Sequence, residues 1–340
     1  MLEAIHELEI AWILFIQSLG GWLATPMHII TLIGSEEFFM FIIPVLYWSF
    51  DAAVGFRVAI LLLLSNGLNT GLKIAFHSSR PYWLSPRIHA YSAESSFGFP
   101  SGHSQTAASI WGFLATCVHS SIGKSLLFLL VFLIGFSRIF LGVHFISDVL
   151  GGWLIGALLV WGLLRVERSL ATWIKKQPLR QMLLMALLSS IVLGAVVLLP
   201  AAALHNWQMP KEWEQKALAA APDGKLDPLN INVAFTIAGT WLGIMAGVAW
   251  LYHRQGGFCA DGTPLQRILR YLIGLAGILF FYFVLGKIFP HDPNLLGYAL
   301  RFTRYTLVGL WVSLLAPLSF QKLGLALTGQ RQSTPEQSSG

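Results

Sequence analysis

Three short clusters in this chain combine groups able to hold an anion and attack it. The first, Lys73 to Pro81, reads KIAFHSSRP; the second, Phe99 to His103, reads FPSGH; the third, Ser137 to Asp148, reads SRIFLGVHFISD. Lys73 and Arg80 stand seven residues apart, close to two helical turns, so both can lean toward one point even as Pro81 ends the helix. Pro100 suits the first turn of a helix, and Ser101 and Gly102 are expected to leave backbone N–H groups free at that N-terminus, which with the helix dipole makes an anion site. Gly102 has no Cβ to keep an oxyanion off the backbone. His144 and Asp148 stand at i and i+4, neighbours on one helical face, so the carboxylate can hold one imidazole N–H and leave the other nitrogen free to attack.

The elements that must carry these clusters are membrane helices. The chain has 340 residues, 55% of them hydrophobic and only 11% charged, against about 25% charged in soluble domains. Runs such as 54–76, 182–204 and 268–289 are long and apolar enough to cross the hydrocarbon. The expected fold is an all-α integral membrane protein with about nine spans, near 24–50, 54–76, 101–119, 124–142, 144–165, 181–203, 231–253, 267–289 and 299–321. An interfacial helix is expected at 1–23, a catalytic core at 24–168, a further helical extension at 169–325 and a disordered polar tail at 326–340. On this layout all three clusters reach one side of the membrane, at span ends where burying charge is otherwise costly. Placing that side outside leaves 12 of the 22 Lys and Arg residues inside, five of them in the short loop 165–180, which agrees with the bias of positive charge to the cytoplasmic face.

The net charge of +6 does not point to nucleic acid, because there is no basic helix and no lysine-rich run. Cys117 and Cys259 form neither a disulfide framework nor a metal motif.

In their order and spacing, K-x6-R-P, P-S-G-H and S-R-x5-H-x3-D resemble the type-2 phosphatidic acid phosphatase superfamily. That superfamily includes lipid phosphate phosphatases, glucose-6-phosphatase and the vanadium haloperoxidases. The resemblance covers about residues 24–165. It implies that His144 attacks phosphorus and becomes a phosphohistidine, with Asp148 orienting it. His103 would protonate the leaving alkoxide and then activate water. Lys73, Arg80, Arg138 and the amides near Ser101 and Gly102 would hold the phosphoryl oxygens. No cofactor and no metal are expected, since these cations already neutralise the charge and no carboxylate cluster suited to magnesium is visible.

The implied substrate is a lipid phosphate taken from the bilayer, of the phosphatidic acid, phosphatidylglycerophosphate or isoprenoid (pyro)phosphate type. The site would face the outer, periplasmic or lumenal side of a cell membrane. A soluble sugar phosphate is the alternative, because Arg80-Pro81-Tyr82-Trp83 looks like the glucose-6-phosphatase branch, whereas Asp148 follows the lipid phosphatase pattern. A transporter or partner-binding role for the later spans is weaker, since they lack broken-helix and midplane-charge signals. Glu36 and Glu37 could pair with a cation of the site. Lys287, Arg301 and Arg304 flank the short loop Pro290 to Gly297 on the expected outer side, either as headgroup anchors or as a second place for acidic groups.

Overall fold

The computed structural model describes residues 2–290 and 292–327, and of residues 2–4 the backbone only. The chain runs through α1 (Leu2–Gln17), α2 (Ala24–Leu32), α3 (Glu36–Val45), α4 (Ala52–Phe76), α5 (Pro81–Leu84), α6 (Gly102–Cys117), α7 (Ser121–Phe140) and α8 (Ile146–Ile174). It continues through α9 (Leu179–Ala203), α10 (Lys211–Ala220), α11 (Asn232–Gln255), α12 (Pro264–Leu279), α13 (Leu285–Ile288), α14 (Leu295–Leu310) and α15 (Ala316–Lys322). Helices suit a bilayer because each satisfies its backbone N–H and C=O groups within itself.

Among the described residues six helices are long and apolar enough to cross a membrane, or seven if the bent pair Ile5–Gln17 and Gly21–Leu32, turned by 86°, is one span. This differs from the expected nine, for identifiable reasons. The span expected at 24–50 is broken, because α2 ends at Leu32 and α3 starts afresh at Glu36. Asp51 then stops the chain a second time, its Oδ1 accepting from the amides of Ala53 at 2.8 Å and Val54 at 2.9 Å to open α4. The span expected at 101–119 is α6, with only 16 residues and a polar first half. The last, at 299–321, carries Arg301 and Arg304 in α14. The tail expected to be disordered lies outside the described residues from 328 onward.

The contacts divide the chain into two compact units, and α3, α4, α8 and α9 contribute to both. The first unit comprises the chain up to Phe39, Leu64–Val166 and Val196–Ile231, and contains all three clusters. Its core gathers Ile10 and Ile13 of α1 with Tyr82, Trp83, Phe97, Phe140 and Phe145. One face of the helix expected to lie at the interface packs into this core, while Leu8, Trp12 and Phe15 on it stay exposed. Its Glu9 accepts from the Ser147 amide at 2.7 Å and the Ser147 hydroxyl at 3.2 Å, closing the first turn of α8. Helix α8 lies directly on α6, since a Cβ at Gly152 would meet the Ser101 carbonyl at 2.6 Å and one at Gly156 the Gln105 carbonyl at 2.5 Å. That close approach brings Asp148 over the start of α6.

The second unit comprises Met40–Leu63, Glu167–Ala195 and the chain from Asn232. Its centre is the α11–α14 pair, where small residues let two helices meet backbone to backbone, as is common in membranes. A Cβ at Gly243 would lie 2.2 Å from the Thr306 carbonyl.

Candidate active site

The first cluster is split by Pro81, which starts α5, so Lys73 ends α4 while Arg80 sits in the extended link just before α5. Both cations are tied down by the loop that follows. Lys73 Nζ donates to the carbonyls of Phe97 at 2.5 Å and Gly98 at 3.2 Å. Arg80 is fully buried and donates to the Ser96 carbonyl at 2.6 Å, the Ser96 hydroxyl at 3.1 Å, the Phe97 carbonyl at 3.0 Å and the Val143 carbonyl at 2.8 Å. Carbonyl dipoles stabilise the buried cations without neutralising them. Arg138, in the last turn of α7, donates through Nη1 to the Thr31 hydroxyl at 3.0 Å, and its Nε has no partner. The three expected cations are thus brought into one unit and held with charge to spare.

His144 lies in the link between α7 and α8. Its Nδ1 is 3.1 Å from Asp148 Oδ2, and its Nε2 is 3.2 Å from Arg80 Nη1. A guanidinium can only donate, so Nε2 is the acceptor in that contact and Nδ1 carries the proton given to Asp148. The lone pair on Nε2 is the one turned toward the cations. Burial, followed by the positive charges of Arg80, Lys73 and Arg138, holds the pKa of His144 well below its usual 6.5, so the ring is neutral at pH 7. Asp148 is itself fixed, its Oδ2 also accepting from the Phe145 amide at 3.0 Å.

Ser101 caps α6 through its side chain, which accepts from the Ser104 amide at 3.4 Å and the Ser104 hydroxyl at 2.9 Å. Its own N–H donates to the Asp148 carbonyl at 3.0 Å. The expectation of two free amides here is therefore corrected: the Ser101 amide is spent on joining α6 to α8. Gly102 follows as the first helical residue, with room beside it bounded by Asn69 Oδ1, 3.1 Å from where a Cβ would stand. His103 lies within electrostatic range of Arg138, Glu94, Lys73 and Arg80 and makes no hydrogen bond with any of them.

One group at the site is absent from the sequence expectations. Glu94 ion-pairs with Arg138 Nη2 and lies 3.9 Å from Arg80 Nη2. Burial raises its pKa, but the guanidinium of Arg138, then that of Arg80, outweighs burial and draws it down to about 2. A signal was present in the sequence, since Glu94 is the one acidic residue between the first two clusters. Glu36 and Glu37, by contrast, make no ion pair with the site; Glu36 is bonded to Asn66. The assembly places three cations, two carboxylates and two imidazoles together, suited to receiving a doubly charged anion beside a neutral nitrogen nucleophile. Among the described residues no three His, Cys, Asp or Glu side chains stand together as a metal site.

Residues 54–171 match the PAP2 superfamily, and residues 235–328 match the PAP2 superfamily phosphatase, transmembrane extension. Phosphatidylglycerophosphatase B of Bacillus subtilis (strain 168) is 34% identical over 151 residues, covering 41% of this chain and 72% of that protein. Glucose-6-phosphatase 3 of Bos taurus is 30% identical over 165 residues, covering 41% of this chain and 47% of the relative. Lipid phosphate phosphatase delta of Arabidopsis thaliana is 27% identical over 157 residues, covering 41% and 37%. The chain spans less than half the length of these last two relatives. Among solved structures, the first transmembrane PAP2 type phosphatidylglycerolphosphate phosphatase from Bacillus subtilis is similar over 49% of this chain and 87% of its own, with 28% identity and a TM-score of 0.43.

Proposed function

The chain belongs to the PAP2 superfamily, and from that premise we propose that it hydrolyses a phosphomonoester or pyrophosphate carried by a membrane lipid, through a phosphohistidine formed on His144. The observation that carries the proposal is the pair of contacts on His144, Nδ1 to Asp148 at 3.1 Å and Nε2 to Arg80 at 3.2 Å. Together they select the tautomer whose Nε2 lone pair can reach phosphorus.

In the reaction Nε2 forms a bond to phosphorus as the bond to the leaving oxygen breaks, and that oxygen takes a proton from His103. Arg80 turns its Nη1 from Nε2 to a phosphoryl oxygen, while Lys73, Arg138 and the Gly102 amide receive the remaining charge. Water then attacks the phosphohistidine, gives its proton to His103 and restores the His144 lone pair. Asp148 stabilises the positive ring that develops on His144, and Ser101 positions α6. These cations suffice for the charge, so no metal takes part. We place the site on the outer face, a reading that rests on the layout drawn from the sequence, in which 12 of the 22 Lys and Arg residues lie inside.

The test is phosphate release from a panel of phosphatidylglycerophosphate, phosphatidic acid and isoprenoid pyrophosphate in mixed micelles, with glucose 6-phosphate in lipid-free detergent as the soluble control. Acid-labile, histidine-linked phosphate should be trapped during turnover and be absent from His144→Ala. Faster turnover of glucose 6-phosphate than of every lipid would reject the lipid assignment, and normal activity in His144→Ala would reject the nucleophile.

A further inference from the structure

The second unit holds two neighbouring arginines, Arg304 buried and Arg301 partly buried, that the proposed chemistry does not use. A cavity of about 270 Å³ is lined by Phe289, Pro290, Asp292, Gly297, Arg301 and Arg304. Arg304 is only 7% exposed. Its guanidinium lies 4.8 Å from the centre of the Tyr305 ring and 5.7 Å from that of Tyr282, and Arg301 lies 5.8 Å from Tyr305. Gly286 leaves the space that Arg304 occupies, since a Cβ there would come within 2.9 Å of Nη1. The Nε atoms of both arginines are buried without a partner. Among the described residues neither arginine joins an ion pair, although Asp292 lines the same cavity.

Buried charge without a counterion costs several kcal/mol, and stacking on tyrosine returns only about 0.5–2 kcal/mol per contact. The remaining deficit is what an anion would supply. An arginine that merely anchors the chain at the headgroup level keeps its guanidinium in water, whereas Arg304 is packed against the rings of Tyr305 and Tyr282 and lines a cavity. Two forked guanidiniums side by side fit a tetrahedral oxyanion better than a single point charge does. The neighbouring surface is apolar: Ile288, Leu295 and Leu296 are 66%, 86% and 61% exposed, and the two leucines lie immediately before Gly297 in the chain.

We propose that this cavity is a second anion site, built to take a phosphate group, with Arg301 and Arg304 as its ligands. A phospholipid headgroup and free inorganic phosphate share that chemistry, and both are named because the exposed leucines favour the first while the cavity admits either. The proposal does not rest on the phosphohistidine reading, as none of its residues belongs to the site in the first unit.

The test uses the full chain carrying His144→Ala, so that no substrate is consumed. Phosphatidylglycerol and, as an uncharged control, diacylglycerol are titrated by native mass spectrometry, and inorganic phosphate by calorimetry. Beyond the phosphate held by Lys73, Arg80 and Arg138, one further saturable site is expected, weakened roughly tenfold or more by Arg304→Gln and by Arg301→Gln, with Arg304→Lys between them and the parent. Loss confined to phosphatidylglycerol assigns a lipid headgroup; loss of inorganic phosphate as well assigns the phosphate group alone. Arg301 is only partly buried, so its variant carries the test if Arg304→Gln does not fold. Binding unchanged within about twofold in both glutamine variants, or equal binding of diacylglycerol, would overturn the site.

Discussion

The carboxylate of Glu94 stands where a phosphoryl oxygen would compete for the same guanidiniums, which makes Glu94→Gln an informative perturbation. In the free enzyme Glu94 pairs with Arg138 and lies 3.9 Å from Arg80 Nη2. An incoming anion must displace it. A hydrogen bond to a charged partner contributes roughly 1.5–3 kcal/mol, so removing the competing charge should tighten vanadate and phosphate binding by about 10- to 100-fold. Arg138 should remain in place, because the Thr31 hydroxyl still accepts from its Nη1 at 3.0 Å.

The same change should cost stability. A carboxyl drawn from its usual 4.5 to about 2 in the folded state contributes about 3 kcal/mol that is fully present above pH 4.5 and is lost as pH falls through 2. The variant should therefore melt below wild type at pH 7, with the gap narrowing under acid. The measurements are the inhibition constant of vanadate against a soluble phosphomonoester in detergent, and thermal melts from pH 7 downward. Weaker vanadate binding in Glu94→Gln would refute competition and make Glu94 a group that aligns Arg138 for substrate.

Four further outcomes follow from the same geometry. His103→Ala should abolish turnover of alkyl phosphates yet still allow slow phosphorylation of His144 by an ester with an activated leaving group, seen as a burst of product without steady release. Asp148→Asn should lower kcat by roughly 10² to 10⁴-fold, less than His144→Ala, because it loses the acceptor that selects the Nδ1–H tautomer but keeps the nucleophile; full activity would show that the 3.1 Å contact has no orienting role. Activity should persist in excess EDTA while vanadate inhibits as a trigonal bipyramidal mimic, and a loss on chelation restored by magnesium would defeat the metal-free account. Because burial and then the charges of Arg80, Lys73 and Arg138 lower the pKa of His144, the acid limb of kcat/KM should lie below about 6.5, measured with a substrate that does not itself titrate there. Lys73→Met should move that limb upward even as it slows the reaction.

How much of this was legible in the sequence depends on how far apart in the chain the interacting groups stand. His144 and Asp148 are four residues apart, so a contact between them was within local reach, although His144 stands in the link before α8 and not on its face as the helix repeat suggested, and the apolar runs announce helices with the clusters near their ends. The cradle of carbonyls around Lys73 and Arg80 was not legible. It is made by main-chain groups of Ser96, Phe97, Gly98 and Val143, which carry no sequence signature. The same holds for the Ser101 amide, whose partner on α8 is set by the close approach at Gly152. Glu9, Thr31 and Glu94 act on residues 138, 107 and 44 positions away, respectively. Side-chain types and local repeats fix which chemistry the chain can do and which helices bear it. Long-range packing decides which amides are already used, where a helix breaks between Leu32 and Glu36, and which carboxylate faces the cations before an anion arrives.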